Sequence, residues 1–176
     1  MTKELKILLG DPKKAILKLS VPIIIGMLVQ AVYNLTDGIW VAGLGADALA
    51  AIGLFFPFFM IITALGVGIG VGGSSAVSRK IGGRKKETAE NTALHTFIIA
   101  LVVSVLFSLL TFPFINRIFS GLGGGGNVGT MAANYAKVLF GGAFIIILAN
   151  IGNAILRGEG NAKKAMYGLI LGAGLN

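Results

Sequence analysis

Four long apolar stretches dominate this chain: Leu19 to Leu44, Ala48 to Val77, Ala93 to Ile115 and Ala133 to Leu156. The hydrocarbon core of a bilayer is about 30 Å thick and takes about 20 helical residues to cross, so each stretch is long enough to span it. The expected fold is an all-α polytopic membrane protein with four complete transmembrane helices. A mean hydropathy of +0.87 and a charged share of only 12% agree, both far from a soluble domain. A fifth stretch begins near Ala165 and stops at Asn176. Its about 12 residues rise roughly 18 Å, too little to cross, so the chain reads as a fragment. Its parts are a cytoplasmic amphipathic segment, residues 1–18, and a transmembrane unit, residues 19–176.

The basic residues are sorted by side. Lys3, Lys6, Lys13, Lys14 and Lys18 precede the first span; Arg79, Lys80, Arg84, Lys85 and Lys86 follow the second; Arg157, Lys163 and Lys164 follow the fourth. The intervening breaks hold only Arg117, with Lys137 just inside the fourth span. Positive charge marks the cytoplasmic side, which puts the N-terminus and the second and fourth breaks inside the cell. The net charge of +8 therefore expresses topology and not a nucleic-acid surface. No cysteine is present, which excludes disulfides and thiolate metal sites. The opening residues carry charges throughout and lack the compact apolar core of a cleavable signal peptide.

The 27 glycines lie mostly inside the apolar spans, where small residues let helix backbones approach closely. "GIGVGG", Gly68 to Gly73, matches a dinucleotide-binding fingerprint letter by letter, but that motif works at a strand-to-helix turn and this one ends a long apolar helix. Close helix packing, continued by "SSA" at Ser74 to Ala76, is the reading adopted. "NLT", Asn34 to Thr36, matches a glycosylation acceptor but falls inside a span. "GLGGGGNVGT", Gly121 to Thr130, reads as a mobile outer connection. One histidine, His95, read as interfacial, and seven carboxylates mostly in the basic breaks leave no nucleophile with its base, so an enzyme is not expected.

Asp37, in "YNLTDGIW", is the costly residue. A carboxylate near the centre of a span costs about 2.5–3.5 kcal/mol. At about 100° per residue, Gln30, Asn34 and Asp37 fall within a sector of roughly 60°, with Tyr33 beside it. Lipid cannot satisfy a polar stripe, so that face looks at other helices or a watery cavity. Two readings stand: a protonatable or Na+-binding carboxylate in a cavity, or an acid at the outer interface. The second draws on a rise of about 28 Å from Lys18 and on Trp40, which resembles an aromatic-belt residue. Pro22 removes a backbone donor near the entry to this span and permits a bend. In the fourth span Asn150 and Asn153 share a face that continues to Arg157, suited either to helix association or to substrate contact. Tyr135 lies nearer the depth of Asp37.

"YNLTDGIWVAGLGADALAAIGLFFPF", "GVGIGVGGSSAVSRKIGGRKKETAENTA" and "ANIGNAILRGEGNAKKAM" resemble the first, second and fourth helices of MATE (multidrug and toxic compound extrusion) transporters, and most of all the prokaryotic DinF-like branch. The resemblance runs over nearly the whole chain. It implies an antiporter of twelve helices in two lobes of six, in a prokaryotic plasma membrane, exchanging Na+ or H+ for amphipathic, often cationic, organic compounds. The chain would then be most of the N-terminal lobe, with its partners being membrane lipid, the drug and the missing C-terminal lobe, and no cofactor beyond the coupling ion. By this resemblance Asp37 is the coupling carboxylate, Pro22 the bending proline, and Gln30, Tyr33, Asn34, Tyr135, Asn150 and Asn153 cavity residues, with Asn176 adjoining the cation site. The family's second acid would lie about a turn beyond Asn176. Two alternatives are carried: a lipid-linked oligosaccharide flippase of the wider superfamily, whose cavity would be rich in basic residues, and a scaffold whose polar faces serve helix association alone.

Overall fold

A computed structural model describes residues 11–122 and 126–175, and every regular element among them is helical. In chain order these are α1 (Pro12–Ala42), α2 (Ala46–Gly82), α3 (Lys86–Thr111), a 3-10 turn (Phe112–Phe114), α4 (Ile115–Gly121), α5 (Gly126–Gly141), α6 (Ala143–Gly158) and α7 (Ala162–Leu175). Three helical segments, Pro12–Ala42, Ala46–Gly82 and Lys86–Gly121, are long and apolar enough to cross a membrane, and α5 with α6 makes a further, bent span. Three helices that can cross, four if the bent pair counts as one span, agree with the expected class.

Local signals fix the helix ends. At the start of α1, the Asp11 carboxylate accepts from the Lys13 backbone N–H at 3.0 Å with Pro12 at the first helical position, a pairing that satisfies one orphan donor and omits another. The helix therefore begins ahead of the expected Leu19 and runs on through Pro22 without interruption. The α1–α2 turn needs Gly45, whose φ of +104° is accessible without strain only to glycine. At the end of α2, the Lys85 N–H reaches back to the Lys80 carbonyl and the Arg84 N–H to Ile81, both at 2.9 Å.

The fourth span differs from expectation. Instead of one helix over 133–156, α5 and α6 meet at a 52° bend at the pair Gly141–Gly142, and paired glycines are a recognised cause of kinks. The Ser108 hydroxyl of α3 donates at 2.6 Å to the Phe140 carbonyl, giving a partner to an acceptor beside the break. The glycine tract also differs: Asn127 to Thr130 belong to α5, and Gly129 is buried, so packing overrides glycine's weak helix propensity there.

The core lies among α2, α3, α4, α5 and α6. Phe55, Ile62, Phe119, Phe140, Ile147 and Ile151 are fully buried. Along α2, Gly66, Gly70, Ser74 and Ser78 recur every four residues, and α6 opposes them with Asn150, Ala154 and Gly158. A methyl at Gly66 would lie 3.2 Å from Asn150 Cβ, and one at Gly70 would lie 3.0 Å from Ala154 Cβ. Gly68 and Gly72, on the other face of α2, have nothing within 4 Å. The motif that mimics a nucleotide fingerprint is thus half helix seam and half outer face, as small residues at membrane-helix interfaces serve. By contrast α1 buries only Ala15, Pro22 and Gly26; it leans mainly on α7, where Gly26 lies against Leu169 and Met166. Most of its apolar surface, including Leu28, Val32, Leu35 and Ile39, is uncovered.

Candidate functional site

A groove lies between α1 and α7, and Asp37 lines it. Val29, Tyr33, Asp37 and Trp40 of α1 form one wall, while Ile170, Ala173 and Gly174 of α7 form the other, around about 530 Å³. Small residues near the end of α7 keep the second wall low. Tyr33 and Asp37 are separated by one helical turn and so project side by side. Tyr135 of α5 lies near Asp37 and Tyr33 without lining the groove. Its ring is held edge-on against Phe55, with centroids 5.1 Å apart and planes at 88°, a favoured aromatic geometry. A cluster of Phe55, Phe58, Phe119 and Phe140 backs it.

The polar stripe of α1 divides. Gln30 Nε2 donates to Asn34 Oδ1 at 3.2 Å, and both side chains are exposed. They satisfy each other beside the groove, which α7 walls on one flank alone. The pair on α6 also separates. Asn150 Nδ2 donates to the Ile146 carbonyl at 3.0 Å, with its Cβ against Gly66 of α2. Asn153 Nδ2 donates to the Ala149 carbonyl at 3.1 Å, with its Oδ1 towards Gly168 of α7. Both are partly buried, and neither lines the Asp37 groove. Pro22 sits buried lower on α1. Asn176 lies outside the described residues.

Among the described residues no three His, Asp or Glu side chains converge into a metal cluster. An ion at Asp37 would therefore draw its other ligands from neutral oxygens or water, a donor set suited to H+ or to a weakly held hard cation. The groove combines one carboxylate with three aromatic rings at or beside it, Tyr33, Trp40 and Tyr135. Such rings attract organic cations through their faces. Sequence reasoning missed the α7 wall and Thr36, which also lines the groove. Alanine and glycine carry no chemical signal, and the Thr36 hydroxyl already donates to the Val32 carbonyl at 2.9 Å.

Known proteins share this architecture. A solved structure described as the outward-facing conformation of a multidrug resistance MATE family transporter of the MOP superfamily matches with a TM-score of 0.96 and 53% identity, over 99% of this chain and 39% of that one. A MOP superfamily transporter from Pyrococcus furiosus, whose binding pocket is described as having reverse polarity suggestive of a different function, matches equally in these measures. Among curated relatives, the probable multidrug resistance protein YoeA of Bacillus subtilis is 31% identical over 89% of this chain and 34% of its own length. The FAD transporter of Shewanella oneidensis is 30% identical over 93% and 36%, respectively. The chain thus spans about a third of the length of the curated relatives it matches. The MatE family model matches residues 22–176, so the chain belongs to the MATE family of multidrug and toxic compound extrusion transporters.

Proposed function

We propose that this chain is most of the N-terminal lobe of a cation-coupled antiporter that exports amphipathic or cationic organic compounds across a prokaryotic plasma membrane. The observation that carries the reading is the Asp37 carboxylate in an aromatic-edged groove between α1 and α7. A lone carboxylate on a membrane-spanning helix is stabilised by whichever positive charge is present. A proton or Na+ and a cationic drug would thus compete for the same compensation, and competition for one charge is the simplest basis of exchange. The rings of Tyr33, Trp40 and Tyr135 add an affinity for flat or quaternary cations that an alkali ion shares less.

In this reading Asp37 is the coupling group and Tyr33 and Tyr135 bound its cavity. Gln30, Asn34, Asn150 and Asn153 supply polar contacts as helices rearrange, and Pro22 lets α1 bend below the site. Helix α1 packs mainly on α7 and only slightly on α2, which supports a helix that moves independently of the core. The sorting of basic residues supports a cytoplasmic N-terminus. Among the described residues no basic side chain lines the groove, which favours drug export over flipping of an anionic lipid-linked sugar.

The test is the accumulation of ethidium in cells expressing the full-length protein. With equal amounts in the membrane, Asp37→Asn is expected to raise accumulation to that of cells lacking the protein. Efflux equal to wild type would remove Asp37 from the mechanism.

A further inference from the structure

A second cavity, away from Asp37, lies where α4 packs on α5 and encloses about 430 Å³. Its walls are polar: Asn116 and Ser120 from α4, and Thr130, Asn134 and Lys137 from α5, with glycine and alanine between them. Lys137 is partly buried, and its Nζ donates to Asn134 Oδ1 at 3.3 Å. No carboxylate pairs with it; among the described residues the ion pair present is Lys86–Glu90, in the first turns of α3. An ammonium without a counter-ion at the edge of a polar cavity attracts an anion. Donors for an anion surround it. Among the described residues the Asn116 and Ser120 side chains have no hydrogen-bond partner of their own, and Asn134 Nδ2 is left free because its Oδ1 is the atom that meets Lys137.

The depth suits a lipid headgroup. Helix α3 starts at Lys86, and a hydrocarbon core entered near Ala93 is crossed in about 20 residues, so Asn116 to Ser120 come at headgroup level. Immediately beside them Phe112, Phe114, Leu122 and Val138 are exposed, the apolar surface that acyl chains cover.

We propose that this cavity holds the phosphate of an anionic membrane lipid, with Lys137 supplying the charge, and Asn116, Ser120 and Asn134 neutral hydrogen bonds. The acyl chains lie over Phe112, Phe114 and Val138. The site rests on the membrane-spanning fold and not on antiport; only its assignment to the outer leaflet rests on the proposed topology.

Native mass spectrometry of the delipidated full-length protein, titrated with dioleoylphosphatidylglycerol, reads the site without transport. Lys137→Gln is expected to lower the population carrying bound lipid about fivefold, and Lys137→Arg to retain most of it. Lys163→Gln, which removes the same charge elsewhere, should stay near wild type. Equal lipid binding in wild type and Lys137→Gln, or equal loss in Lys137→Gln and Lys163→Gln, would overturn the proposal. Displacement of the lipid by millimolar inorganic phosphate would assign the cavity to free phosphate and overturn the lipid reading. Should Lys137→Gln not fold, the double variant Asn116→Ala/Ser120→Ala is expected to weaken lipid binding, and unchanged binding there would equally refute it.

Discussion

Replacing Gly158 with alanine tests the packing logic of the bundle where an added methyl meets the backbone of a neighbouring helix. A methyl at Gly158 would sit 2.9 Å from the Ser74 carbonyl oxygen and 3.1 Å from Ser74 Cα, whereas comfortable contact needs about 3.5 Å. Both are backbone atoms in mid-helix, so no rotamer change relieves the clash and α2 and α6 must part by about half an ångström. Overpacking of this kind costs about 1–3 kcal/mol. The same separation stretches the contact of Ser78 Oγ with the Gly158 carbonyl at 2.8 Å, but its one proton can turn to the Ser74 carbonyl, also at 2.8 Å, so little is added. This implies a loss of roughly 1–3 kcal/mol, or a fall in melting temperature on the order of 3–8 °C. Gly72→Ala is the control, since nothing lies within 4 Å of its added methyl, and removing a mid-helix glycine is neutral to mildly stabilising. The assay is thermal melting in detergent followed by size-exclusion fluorescence. A Gly158→Ala protein as stable as wild type, or a Gly72→Ala protein equally destabilised, would refute the assignment of the close seam to the Gly66–Gly70–Ser74 face.

Two further outcomes are expected. Ser108→Ala removes the donor to the Phe140 carbonyl at the α5–α6 bend and should lower stability by about 1 kcal/mol, read by the same melting assay; no change would mean that the bend does not depend on that bond. These 176 residues carry no cysteine, so a single cysteine introduced among them is the one labelled site of this part. In intact cells, Leu44→Cys should react with a membrane-impermeant maleimide and Lys85→Cys should not, and the reverse pattern would invert the topology.

The sequence displays the crossings well because run length and charge sorting are properties of contiguous residues. The bend in the fourth span is less legible. Ala133 to Leu156 is one apolar run, and the kink depends on Gly141–Gly142 together with a hydroxyl from α3, far away in the chain. The early start of α1 was present as the Asp11–Pro12 cap, which hydropathy alone overlooks. At the site, Asp37 and Tyr33 stand out because polar groups in a span need a reason. The wall facing them does not, because Ile170, Ala173 and Gly174 resemble any other stretch of a membrane helix. Asn150 and Asn153 look like one face at i, i+3 spacing. They nevertheless turn to different neighbours, Gly66 of α2 and Gly168 of α7, because the two side chains are offset by about 60° around α6.

The central claim is that the Asp37 charge links ion movement to export. Its most direct test is ethidium transport by the full-length protein in proteoliposomes, with an imposed proton or Na+ gradient, comparing wild type with Asp37→Asn. The account predicts that one of the two gradients accelerates wild-type transport and that neither accelerates the Asp37→Asn protein. Gradient-driven transport by Asp37→Asn at the wild-type rate would contradict it.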